Sequence, residues 1–136
     1  MASGLYDKGR EGFLDGSIDW DTNDIRVILI DTANYSVNLA TNANLSDISG
    51  SARVATSGNL SGKTVTGGIA DASDVTFSAV TGSTVEAIVI YKHTGTESTS
   101  RLIAYIDSAS SGLPATPNGQ DITIQWDSGT NKIFKL

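Results

Sequence analysis

Three segments of the chain are apolar at consecutive positions: residues 25–30 (Ile-Arg-Val-Ile-Leu-Ile), 87–91 (Ala-Ile-Val-Ile-Tyr) and 102–106 (Leu-Ile-Ala-Tyr-Ile). A strand with one wet face alternates apolar and polar side chains, so apolar residues at both parities require cover on both faces. In a chain of 136 residues the second cover is either a local helix or loop, or another protein molecule. Residues 3–15 predict a short helix that supplies part of it. Ser3 stands at the N-cap, Asp7 with Arg10 and Lys8 with Glu11 form i,i+3 pairs, and Gly16 is the C-terminal stop. Tyr6 and Phe13, seven residues apart with Gly9 between them, predict one aromatic stripe lying on the sheet. Gly9 and Gly12 lower the helix propensity, so packing must hold the helix.

Beyond the turn-rich residues 19–24 and the first apolar run comes a polar stretch, 32–50, whose anchors are Tyr35, Val37, Leu39, Leu45 and Ile48. It is too long for a plain connector and predicts an ordered excursion over the surface. Shorter strands are expected at 52–56, 63–66 and 74–78. Residues 85–92 and 101–107, joined by the polar loop 93–100, predict a central antiparallel hairpin. Asn118-Gly119 signals a turn. Ile122, Ile124 and Trp126 alternate with Thr123 and Gln125 and predict a second hairpin, turning at 127–131 and returning over 132–136. About eight short strands with glycine-rich turns define an all-β class: an antiparallel β-sandwich or barrel with a short N-terminal helix. The expected organisation is a single β domain over 1–136, with the helix at 3–15 and the sandwich over 25–136, carrying the excursion at 32–50. Ile28, Ile30, Ile88, Ile90, Ile103, Tyr105, Ile124 and Trp126 are its expected core.

Composition narrows the partners. The chain has no cysteine, which excludes disulfide and thiolate chemistry and suits an intracellular origin. Its net charge is -6 and its pI about 4.4. The nine Lys and Arg are scattered from Lys8 to Lys135 and form no basic patch that would displace counterions, so nucleic acid is not an expected partner. Met1 to Gly4 carry no basic and apolar leader, and no apolar run reaches membrane-span length. The expectation is a protein made soluble in a cytoplasm, with no membrane partner.

Candidate chemistry is sparse. Asp19, Asp21 and Asn23 occupy the first, third and fifth places of a calcium-loop pattern, but Asp24 stands where the loop needs Gly and Ile30 where it needs a bidentate Glu. A helix-to-strand turn is the expectation there. His93 is the single histidine, which removes the usual zinc and triad constellations and places His93 as a loop residue. Glu86, flanked by apolar strand positions, is the acid expected to be perturbed, facing solvent or paired with Arg101 or Lys92. Gly62-Lys63-Thr64 matches the end of a phosphate-binding loop, but Ser57 stands where its first Gly is required. The sequons at Asn34, Asn44 and Asn59 read as Ser- and Asn-rich loops. No catalytic, cofactor-binding or metal-binding residue is expected, no cofactor, and no enzymatic activity.

Gly4-Leu5-Tyr6-Asp7-Lys8-Gly9-Arg10-Glu11 with Ile18-Asp19-Trp20, the stretch Arg26 to Ala33, Ala87 to Tyr91 with Ser100 to Asp107, and the ending Asp121 to Asp127 and Lys132 to Leu136 together resemble a family of small tailed-bacteriophage virion proteins. The resemblance implies a structural particle component, foremost a capsid decoration (cement) protein. It further implies location in the virion after synthesis in the host cytoplasm, with this chain itself and the major capsid protein as partners. Two-sided apolar strands add an expectation of self-association through strand faces, the helix and the excursion, with trimers suited to the three-fold positions of an icosahedral shell. The competing expectation is a tail or head-fibre module binding a receptor or glycan, for which Trp20, Tyr35 and His93 are the loop candidates. A hydrolase acting on the host envelope is the third.

Overall fold

All three apolar runs lie side by side in one sheet. The computed structural model describes residues 4–107, 113–126, 129 and 132–136. In chain order the elements are β1 (Gly4–Leu5), α1 (Asp7–Asp15), β2 (Ile25–Ile30), β3 (Arg53–Thr56), β4 (Ile69–Ala70), β5 (Val75–Phe77), β6 (Ala87–Lys92), β7 (Leu102–Ile106), β8 (Ile122–Ile124) and β9 (Phe134–Lys135). Five strands form an antiparallel sheet in the order β1-β7-β6-β2-β3, and two small antiparallel ladders pair β4 with β9 and β5 with β8. The chain is therefore mostly strand in antiparallel sheets, with one α-helix among the described residues.

Both faces of the sheet are dry, and the chain itself covers both. On one face Ile25, Val27, Leu29, Ile88, Ile90 and Ile103 pack with Ile18, Trp20, Leu60 and with Ala70 and Phe77 of the small ladders. On the other, Ile28, Ile30, Val89, Tyr91, Leu102 and Tyr105 pack with Tyr6 and with Tyr35, Leu45 and Ile48 of the 32–50 excursion. The excursion has no strand; two single 3₁₀ turns, Leu45–Asp47 and Gly50–Ala52, bring it back to β3. The strand faces expected to make subunit contacts are thus occupied internally.

Helix α1 starts at Asp7 with Tyr6 as its N-cap and no side-chain cap bond, while Gly4 and Leu5 pair with Tyr105 and Ala104. The helix expected from residue 3 is therefore shorter, because β7 offers an open edge that β1 fills; Ser3 lies outside the described residues. Gly16 ends the helix at φ 81°, as expected. Tyr6 and Phe13 do not share one stripe: Tyr6 belongs to one core and Phe13 packs on the other. The helix crosses β7 at Gly9, where a Cβ would sit 2.7 Å from the Leu102 carbonyl oxygen and 2.9 Å from the Ile103 Cα. Ile103 is the extra residue of a bulge, since Ile90 pairs with Ala104 and Tyr91 with Leu102, and its carbonyl accepts the Tyr6 N–H at 2.9 Å.

Three further expectations change. Residues 122–126 and 132–136 do not form a hairpin, because β8 pairs with β5 and β9 with β4; most of the expected turn at 127–131 lies outside the described residues. Residues 63–66 are not a strand: Thr64 makes one bridge to Asp71, and Gly67 and Gly68 turn the chain at positive φ into β4. Of the expected core, six side chains are buried, whereas Ile124 in the short β5–β8 ladder and Trp126 just beyond it pack only against the margin of one core and stay half-buried.

Gly9→Ala should destabilise the fold by up to about 2 kcal/mol. A methyl group driven into fixed β7 backbone costs about 1–3 kcal/mol, against a helix-propensity gain of about 1 kcal/mol. Gly50→Ala, with nothing within 4 Å of the new Cβ, should be neutral or stabilising by about 0.4–1 kcal/mol. Urea midpoints of the two variants check this, and equal midpoints would sink the close-contact argument.

Candidate functional site

The polar side chains gather in three places, beginning where the excursion is tied to the sheet. Asp31, buried at the end of β2, accepts from the Ala33 N–H at 3.0 Å and the Asn34 side chain at 2.9 Å. Arg53 lies at the other root. Its guanidinium donates to the Leu45 carbonyl at 2.9 Å and the Ile48 carbonyl, and forms a paired contact with Glu97 at 2.9 and 3.0 Å. Hydrogen bonding from Arg53, with its charge, holds the Glu97 carboxyl below its ordinary range. Between the roots, the Tyr6 and Tyr35 hydroxyls meet at 2.8 Å, and Tyr35 donates to the Asn42 side-chain oxygen at 2.8 Å. Burial pushes the Tyr6 hydroxyl far above the ordinary tyrosine range, and pushes Tyr35 up to about 12.

The second gathering is the turn at 19–24. Asp19 and Asn23 close it on themselves: the Asp19 N–H donates to Asn23 Oδ1 at 2.7 Å and the Asn23 N–H to the Asp19 carbonyl at 2.9 Å. Hydrogen bonding with Asp21 lowers Asp19, and the same contact raises Asp21. Asp24 grips Arg26 through two contacts of 2.9 Å and is lowered by that hydrogen bonding. Lys63, lowered by burial, donates to the Asn23 carbonyl and to Asn59 Oδ1. An ammonium group thus sits against the turn that superficially matched a calcium loop. Among the described residues no three His, Asp or Glu side chains are placed to hold a metal ion.

His93 follows β6 and donates its backbone N–H to the Asp24 carbonyl at 2.8 Å, while its Nδ1 is buried without a partner among the described residues. Its ring stands edge-on to Tyr91 at 6.1 Å. Glu86 lies before β6 and takes the Thr32 N–H at 3.3 Å, and among the described residues no ion pair joins it to Arg101 or Lys92. The loop aromatics expected for sugar binding are inside: Trp20 and Tyr35 are buried, and Trp20 donates to the Asp71 carbonyl at 3.0 Å. Lys63 and Asn59, raised by separate motif matches, meet here as a structural bond, since Asn59 Oδ1 also accepts the Ile25 N–H at 3.0 Å.

The third place is the surface. A groove of about 260 Å³ opens between the end of α1 and the β4–β9 ladder. Its floor is aromatic, with Phe134 5.8 Å from Phe13 and edge-on to Trp20 at 5.3 Å. Val65 and Leu136, 49% and 60% exposed, stand on its rim. Leu14, 87% exposed, follows Phe13 on the helix. A wider concavity of about 590 Å³ beside α1 holds Lys8, Glu11, Asp15 and Arg101. Its charges are tied locally: Lys8 pairs with Glu11 at 2.8 Å, Arg101 donates to the Lys8 carbonyl at 2.7 Å, and Ser17 hydrogen bonds lower Asp15.

Arg53 and the Tyr6–Tyr35 contact carried no local signal, because their partners are carbonyls of a loop or distant in sequence, whereas Asp31 bonds to Ala33 and Asn34 just beyond it, a local turn pattern missed in the sequence. The apolar residues of 132–136, expected as the return strand of a hairpin, instead line one side of the groove through Phe134 and Leu136. No protein-family model and no curated protein matches the chain.

Arg53→Lys should lower stability by about 1–3 kcal/mol, because a lysine cannot reproduce the guanidinium's bonds to the Leu45 and Ile48 carbonyls and Glu97 together. Glu97→Gln should matter far less, the pair being largely solvated on the Glu97 side. Denaturant melts of the two variants compare these terms, and a larger loss for Glu97→Gln would reverse the ranking.

Tyrosines that titrate higher when folded than when unfolded stabilise the fold fully below about pH 10, the unfolded value. That stability is lost as pH rises through 10 and past about 12, where Tyr35 ionises in the fold. Urea midpoints should fall over this window, and less steeply in the Tyr6→Phe/Tyr35→Phe variant. An identical slope in both proteins would remove these hydroxyls as the cause.

EDTA should leave the melting temperature unchanged, and millimolar calcium should not raise it, because a ligand of the folded state alone would stabilise in proportion to its occupancy. A calcium-induced rise of several degrees would make the 19–24 turn a metal site.

Proposed function

We propose that this chain is a non-enzymatic structural protein of a tailed-bacteriophage virion, a capsid decoration protein that stabilises the particle by surface contacts. The observation that carries the reading is the distribution of apolar surface. Both faces of the central sheet are covered from within, and the large apolar side chains left exposed among the described residues are Leu14, Val65 and Leu136. Two of the three rim one aromatic-floored groove, as suits a domain that docks by shape. The resemblance to virion proteins points the same way. In this reading the domain is a two-layer β-sandwich, with the β4–β9 and β5–β8 ladders as the second layer against β2, β6 and β7. It assembles as a closed oligomer, a trimer on a three-fold axis of the shell, and contacts the major capsid protein through the groove and α1 instead of strand faces. Buried Trp20 and Tyr35 weigh against the fibre reading, since a glycan platform needs open aromatic faces.

The test is a cryo-EM map of the particle whose genome encodes this chain, together with light scattering of the purified protein. The expected result is density for this fold on the shell, with the groove against a neighbour. Val65→Asp/Leu136→Asp protein should keep its melting temperature yet fail to rebind particles stripped of it. A stable monomer in solution, with every copy in the map isolated from neighbours and shell, overturns the proposal; density on a fibre instead supports the competing receptor-binding role.

A further inference from the structure

We draw no further inference here: the strongest candidate, the apolar groove between α1 and the β4–β9 ladder rimmed by Val65 and Leu136, belongs to the site already described, and nothing in the structure shows what covers it.

Discussion

Two-sided burial of β2, β6 and β7 is the constraint from which the rest of the molecule follows. Ile25, Val27 and Leu29 face one core while Ile28 and Ile30 face the other, so neither face can be left to water. Each fully buried side chain of this size contributes about 1.5–3 kcal/mol relative to exposure, and exposing either face would forfeit several such contributions. The fold meets the demand with unequal covers. The small ladders and the loops around Leu60 and Val80 lie on one side, and an excursion without strands lies on the other.

An irregular cover brings its own cost, because backbone groups outside helices and sheets still need partners. That cost explains where the polar side chains sit. Arg53 serves the excursion's carbonyls, Asp31 the Ala33 N–H, and Asp47 the Ala43 and Asn44 N–H groups at 2.7 and 3.1 Å. On the far edge of the sheet, Ser57 Oγ and Asn59 Oδ1 accept from the Val27 and Ile25 N–H groups, extending the β2 ladder past the end of β3 with side-chain oxygens. The many Ser, Asn and Asp of the sequence are thus in part backbone substitutes. Charge matters less: the Glu97 contact adds a solvated pair of small worth, whereas the carbonyls Arg53 satisfies are partly buried.

How much of this could be read from the chain depended on the range of the interaction. The position of β2 and the pairing of β6 with β7 were legible, because a dense apolar run and a short polar loop are local signals. The excursion was legible as ordered, yet its role as the sheet's second cover was not, since Tyr35, Leu45 and Ile48 are sparse in sequence and meet the sheet only in space. The false C-terminal hairpin has the same origin. Alternation identifies β8 as a strand but leaves its partner open, and the strand it meets, β5, lies 47 residues earlier at the Thr76–Thr123 contact. The groove was not legible: the apolar ending read as the return of a hairpin, and Phe13 meets Phe134 only in space, where α1 packs on β7 at Gly9.

That crossing also limits what the surface can offer a partner. Because a side chain at position 9 would strike β7 backbone, α1 is held close, and Phe13 is placed against Phe134 while Leu14 is turned outward. The groove is therefore bounded by elements fixed to the sheet, α1 through Gly9 and β9 through its pairing with β4. A docking surface built this way loses little conformational entropy when occupied. Asp19, the carboxyl that lines the groove, is engaged with Asp21 and Thr22, and shape and apolar contact are the means by which the proposed particle association would be made. Net charge of -6 keeps free copies apart by weak repulsion that salt screens. An apolar contact persists under such screening, so association through the groove should strengthen as ionic strength rises, whereas an association built on surface ion pairs would weaken.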